Sequence, residues 1–407
     1  MSIDQRPPAV AGTDAPTSSS GPPPPGRPRR QRRRRHRKLK IAALVVLALP
    51  LAPTVSFVQA MTYPGNAPAS VRAVEWVRDH GGGGLVDRVE TWYYSRNAPA
   101  AVGPPSDRLP PSSGQPMLKA LAKSNRLPSP PPRPAMLSPA LSGEGVWTVP
   151  RTSSRGLPAL YTTWFRPDPS HTTITVAAAV IPQHVDAIAL GGGTREPVPG
   201  SIAVSKAQVP PAARPSLVAV FNAGFKMADS GGGWYAGGQE VVPLRPGLAS
   251  LVIDRSGRAT VGAWNQGVSM GPQVAAVRQN LHLIVTDGHP VAGLADNNQG
   301  LYGTGKNQFQ YTWRSGIGTN ARGDLVYVAG RGLNLSTLAI AMAKAGAVTG
   351  MELDMHSNMV AFNYFDTPNA VSDDAGRNLL TSMQAPPDRY LVPDQRDFFY
   401  LTTRTTP

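Results

Sequence analysis

Cysteine is absent from all 407 residues. That excludes disulfides, iron–sulfur clusters, cysteine zinc sites and a thiol nucleophile. It fixes no compartment, because exported chains also do without disulfides. Lysine is scarce, 8 of the 40 basic residues against 32 arginines. Acidic residues number only 25, so the formal net charge is +15. The excess is local: residues 1–40 hold 11 basic and 2 acidic groups, and the other 367 hold 29 and 23. A net +9 tail on a net +6 remainder makes the high pI no argument for a nucleic-acid-binding domain. Against these shortages stand 43 prolines and 41 glycines. So many turn-formers suit a loop-rich chain containing β-structure, and argue against a helix bundle or long coiled coil.

The first sixty residues read as an address. Residues 1–26 are mostly Pro, Ser, Ala and Gly and cannot bury enough surface to fold, so 1–40 is expected to be a disordered basic tail. Ten basic residues crowd Arg27–Lys40. They precede Ile41–Met61, 21 residues without a charge. At 1.5 Å per residue that length crosses a hydrocarbon core of about 30 Å. Pro50 and Pro53 interrupt it, which a spanning helix tolerates. The expectation is an uncleaved single-pass anchor, since Val58-Gln59-Ala60 is a poor cleavage site. The basic cluster then stays cytoplasmic and the C-terminal part lies outside. A basic patch for nucleic acid or anionic lipid is the competing reading, but the adjacent apolar run already explains the charges.

Residues 62–96 are expected to form a juxtamembrane helical segment broken around Gly81–Gly84, with Val71, Val74 and Val77 on one face. Docking of this segment on the main domain explains the same pattern. Residues 97–144 read as a proline-rich linker with one helical insert at Met117–Lys123. From 145 to 407 the texture becomes that of one α+β domain, a mixed α/β fold with a strand–helix–strand unit in its C-terminal half. Strands are expected at Leu160–Phe165, Thr172–Ile181, Leu217–Phe221, Ala249–Ile253, Ala259–Trp264, His282–Val285, Asp324–Ala329 and Gly350–Asp354. Asp254–Gly257 reads as a hairpin turn. Helix is expected at Ser336–Ala345, with Ser336 as N-cap and Gly346 as stop, and at Gln273–Gln279.

No phosphate-binding Gly-Lys-Ser/Thr loop, Gly-x-Ser-x-Gly elbow or His-Glu-x-x-His motif occurs. Three segments draw attention instead. Asn222 ends an apolar strand, where its amide can orient a ligand hydroxyl or cap the turn. Arg314 stands before a strand in an uncharged stretch, and a half-buried Arg wants a phosphate or a carboxylate. Glu352, Asp354 and His356 share one face if the strand persists through them. Two carboxyls so placed shift each other's pKa and suit acid/base hydrolysis of a glycosidic bond. The same trio could bind a divalent cation, or pair with Arg314 at a strand end. Asp287 reads as a turn residue.

In this order, Asn222-Ala223-Gly224-Phe225, Arg314-Ser315-Gly316-Ile317-Gly318 and Leu353-Asp354 resemble the motifs of the phosphodiester glycosidase family. The Glu352-Leu353-Asp354 version is similar to a membrane-anchored actinobacterial branch. The resemblance covers about Trp147 to Thr403 and implies an extracytoplasmic hydrolase of a sugar-1-phosphate diester in the cell envelope. It implies Asp354 and Glu352 as catalytic, with Arg314 on the phosphate, Asn222 on a sugar hydroxyl, and His356 near the substrate. No cofactor is expected, a divalent cation stays open, and no nucleic acid partner is expected. Met355-His356-Ser357-Asn358 stands where the family usually has Gly-Gly-Gly-Ser. That departure leaves a non-catalytic wall-glycan-binding protein as the alternative, and a membrane scaffold acting through the tail as a third.

Overall fold

The computed structural model describes residues 51–107 and 131–404, apart from 66, 97, 133, 135–136, 298, 304–307 and 367–375. The basic tail, residues 41–50 of the apolar run and the Met117–Lys123 insert lie outside the described residues. Contacts divide the chain into Met1–Val58 and Gln59–Pro407. Helix α1 is Leu51–Thr62. No helix among the described residues is long and apolar enough to cross a membrane.

Two further helices follow, α2 (Ala69–Val77) and α3 (Gly83–Arg96), joined through Arg78–Gly82. The chain reverses there because Gly81 takes φ +86°, a left-handed turn that glycine adopts without a Cβ penalty. Part of the proline-rich stretch is not a free spacer. Ser106 donates to Thr173 O at 2.8 Å and Thr172 donates to Ala101 O at 2.8 Å.

The strands are β1 (Thr148–Thr152), β2 (Pro158–Phe165), β3 (Val176–Ile181), β4 (Asp186–Gly191), β5 (Leu217–Asn222), β6 (Trp234–Ala236), β7 (Gln239–Val242), β8 (Ala249–Asp254), β9 (Ala259–Ala263), β10 (Val274–Gln279), β11 (Leu283–Thr286), β12 (His289–Pro290), β13 (Thr312–Asn320), β14 (Leu325–Leu333), β15 (Ala347–Met355), β16 (Phe362–Phe365), β17 (Gly376–Asn378) and β18 (Phe398–Thr403). Met227–Ser230 forms a single-turn helix, α4, and Leu335–Lys344 forms α5. The strands make three sheets, ordered β1-β2-β3-β14-β13-β15-β11-β12, β7-β6-β10-β8-β9 and β17-β16-β5-β18-β4. Pairing within them is antiparallel, for example β13 with β14 and β15.

The large sheet is covered on both faces, which is why β3 and the Leu325–Ala329 part of β14 read as continuous apolar runs instead of alternating. Ala177, Ala179, Ile181, Leu325, Tyr327 and Ala329 enter a core shared with the two smaller sheets. Val176, Ala178, Val180, Val326 and Val328 enter a second core with Leu338 and Met342 of α5. The two-residue period of a strand sorts one continuous apolar run into two cores. Each fully buried Val, Leu or Phe contributes about 1.5–3 kcal/mol relative to exposure.

Several expectations are corrected. Gln273–Gln279 is not helix: Val274–Gln279 is β10, paired to β6 and β8. Its alanines favour helix only weakly, and two neighbouring strands override that preference. The N-cap of α5 is Asn334, whose Oδ1 accepts from Thr337 N at 2.8 Å, so Ser336 lies inside the first turn. Arg314 does not precede a strand but lies within β13. The Asp254–Gly257 hairpin is as expected, with Asp254 Oδ1 accepting from Ser256 N at 2.8 Å and Arg258 N at 3.0 Å. Asp287 is in a turn too, at φ +50° between β11 and β12.

Candidate functional site

The C-terminal end of β15 is the centre of the site. Gly316 pairs with Glu352 and Arg314 with Met355, so β15 carries one extra residue between these pairs. Such a bulge interrupts strict alternation and re-aims side chains. The expected common face of Glu352, Asp354 and His356 is lost there, and the three side chains go to different partners.

Glu352 turns to Arg314. Their salt bridge is 2.5 Å, with side chains 2% and 1% exposed. Arg314 also donates to Leu333 O at 3.1 Å. Its charge is paired beneath the surface with a carboxylate, one of the two partners the sequence left open for it. Burial pushes the Glu352 carboxyl up and the Arg314 cation pulls it back.

Asn222 is likewise structural. Its Oδ1 accepts from Ala361 N at 3.0 Å and Tyr327 OH at 3.2 Å, and its Nδ2 donates to Ser315 Oγ at 3.1 Å. Phe221, Tyr327 and Phe362 pack beside it, with ring centroids 4.7–5.5 Å apart. This ties the end of β5 to β13, and the next residues reach the site by backbone alone. Ala223 O accepts from Asp354 N at 3.1 Å. Gly224 O accepts from Arg396 at 3.2 Å.

Asp354 faces a different cation, Arg396, at 2.7 Å. Its other oxygen accepts from Met355 N at 2.9 Å. Burial raises the Asp354 pKa, and Arg396 opposes this. Arg396 sits in the loop before β18, positioned by Asp394 Oδ1, which accepts from its backbone N at 2.8 Å. Burial alone would lower the Arg396 pKa, but Asp354, Glu75, Glu196 and Asp397 raise it, so it stays charged. Its Nε–H meets no acceptor among the described residues. Sequence reading missed Arg396. The stretch Val392–Asp397 has no periodicity, and one Arg among Pro, Asp and Gln carries no signal of its own.

His356 leaves the strand with φ +74°, a left-handed conformation rare outside glycine. The ring stacks on Tyr94 at 5.2 Å, and Nδ1 lies 3.2 Å from Thr312 Oγ1. Burial and the nearby Arg314 and Arg78 cations lower its pKa, which keeps it neutral.

Asp354, His356 and Arg396 line a cavity of about 880 Å³. Arg314, Glu352 and Asn222 do not line it. The opposite wall is the α2–α3 hairpin. Glu75 lies 3.5 Å from Arg396 and 3.3 Å from Lys226, and Asp79 lies 3.2 Å from Lys226 and 2.7 Å from Arg195. Glu90 lies 3.5 Å from His356. Glu75 and Asp79 of the hairpin thus face cations of the sheet-bearing part of the chain. Among the described residues no group of three or more His, Asp or Glu side chains could hold a metal ion.

Residues 216–381 match the model of the phosphodiester glycosidase family. No curated protein matches. Among solved structures, the zebrafish N-acetylglucosamine-1-phosphodiester alpha-N-acetylglucosaminidase catalytic domain, auto-inhibited by its pro-peptide, is similar at 13% identity and TM-score 0.38, covering 74% of this chain and 97% of that one. A hypothetical protein from Synechocystis follows at 14% identity and TM-score 0.35, covering 61% and 63%. A putative exported protein from Burkholderia pseudomallei shows 13% identity and TM-score 0.29, covering 58% and 75%. The matched segment holds Asn222, Arg314, Glu352, Asp354 and His356, while Arg396 and the hairpin lie outside it. On that match, residues 216–381 of this chain are similar to the phosphodiester glycosidase family.

Proposed function

We propose that the domain hydrolyses a sugar-1-phosphate diester of the cell envelope, at the wall formed by Asp354 and Arg396. We propose further that residues 41–61 anchor the chain in a membrane, with this domain outside the cytoplasm. The observation that carries the enzymatic reading is a buried carboxyl paired at 2.7 Å with a buried guanidinium on a large cavity.

Arg396 takes the phosphate, its charge offsetting that of the diester. Lys226, beside Glu75, adds a second cation. Asp354, which burial holds toward its protonated form, gives a proton to the phosphate oxygen that leaves the anomeric carbon. Water replaces that oxygen, releasing free sugar and a phosphate monoester. Neutral His356 hydrogen-bonds the sugar or the incoming water. Glu352, Arg314 and Asn222 act as positioning residues that fix the strand ends under Asp354. Glu75 occupies the anion position in the described state, so the substrate phosphate displaces a carboxylate.

One observation favours a second reading. Met355 and His356 fill space that glycines leave open in the family, which suits glycan binding without turnover. The test incubates the purified chain with mass-tagged sugar-1-phosphodiesters, with and without Ca²⁺ and EDTA, beside Asp354→Asn and Arg396→Ala. Release that disappears in Asp354→Asn supports the hydrolase. Saturable glycan binding without release supports the second reading. Full release by both variants removes Asp354 and Arg396 from the mechanism.

A further inference from the structure

Helix α3 has its polar side in and its apolar side out. Toward the sheets it presents half-buried Val86, Asp87, Glu90, Thr91 and Tyr94, and outward it presents Leu85, Arg88, Val89, Trp92, Tyr93, Ser95 and Arg96. Leu85 is 65% exposed, Val89 55% and Trp92 57%. Spaced i, i+4 and i+7, they form one stripe. A helix on the surface of a water-soluble domain orients the other way. No carboxylate stands on the outer side, and two guanidinium groups do, with Arg96 lying 5.0 Å over the Trp92 ring.

The chain itself limits what can cover this face. Helix α2 begins at Ala69, eight residues beyond Met61, where the 21-residue apolar run ends. Fully extended, eight residues reach at most about 28 Å. If that run lies in a bilayer, the hairpin is held within reach of its surface.

We infer that the outer side of α3 rests on an anionic lipid bilayer. Leu85 and Val89 enter the acyl boundary, Trp92 and Tyr93 sit at headgroup depth, and Arg88 and Arg96 meet lipid phosphates. Arg88 and Trp92 also line the cavity, so its mouth opens at the headgroup layer. This inference rests on the anchoring part of the proposed function and is independent of the hydrolase part.

A chain without cysteine makes the test direct. The full chain carrying Val89→Cys, or Gln273→Cys as a control on an exposed turn, is spin-labelled and reconstituted into phosphatidylcholine–phosphatidylglycerol vesicles. Vesicle flotation reads the anchor, and collision rates with oxygen and with a water-soluble nickel chelate read each label. The expected result is flotation, with position 89 severalfold more accessible to oxygen than to nickel and position 273 the reverse. Flotation with position 89 open to nickel overturns the docking and leaves the anchor standing. Spin–spin broadening at position 89 that grows with protein density also overturns it, because a second copy then covers the face. Failure to float overturns both.

Discussion

At the residue scale the site is two ion pairs with different duties. Arg314–Glu352 is sealed below the cavity, and Arg396–Asp354 lines it. Removing one partner of a sealed pair leaves a buried charge, so Arg314→Met should cost about 3–5 kcal/mol in urea unfolding, and adding Glu352→Leu should recover most of it. Asp354→Asn should instead keep the fold, shown by an unchanged circular-dichroism spectrum, and abolish turnover. Because burial raises the Asp354 pKa, activity as a proton donor should persist above the ordinary carboxyl range and fall as pH rises through that raised value. His356→Gly should be more stable than His356→Ala by about 1 kcal/mol, since only glycine takes φ +74° freely. Arg314, the two carboxylates, His356 and a pairing with Arg314 were legible in the sequence, but Arg396 and its pairing with Asp354 were not. An expected three-residue face became two separate partnerships through one inserted residue on β15, and a bulge leaves no mark in a composition or a period.

At the scale of elements, the strand–helix–strand unit from β14 through α5 to β15 could be read from its apolar runs, its helical decamer and Gly346. Strand β13 was harder to see because Gly316 and Gly318 depress strand propensity. Packing explains them. A Cβ on Gly316 would meet Met342 Sδ at 2.4 Å, and one on Gly318 would meet Thr349 O at 2.3 Å. Gly318→Ala should therefore destabilise by about 1–3 kcal/mol, measured by thermal or urea unfolding, because the obstruction is backbone and cannot rotate away. The α2–α3 hairpin was visible as a broken helix, yet its seat over the cavity was not, because that depends on salt bridges to Lys226, Arg195 and Arg396, more than a hundred residues away. Glu75→Ala should lower KM severalfold with little change in kcat, by freeing Arg396 and Lys226 for the phosphate.

At the scale of the whole molecule, acid stability should follow the Glu144–Arg166 pair, which ties the end of the proline-rich stretch to β2 at 2.9 Å. Burial alone raises the Glu144 pKa, but Arg166 and the Leu141 and Arg166 N–H groups outweigh it and hold it low. A lowered folded-state value means the stabilisation is complete above the ordinary Glu range and is lost as pH falls through the folded value. Glu144→Gln should flatten the acid limb of a pH-dependent melting curve. The last described strand has a different consequence. β18 is not at an edge: it lies between β5 and β4, pairing Phe399 with both Phe221 and Leu190. Until residues 398–403 leave the ribosome, β5 lacks a neighbour on one side, β4 has no partner in its sheet, and Arg396 has no fixed seat. The third sheet therefore closes only after the most C-terminal of the described strands has been made.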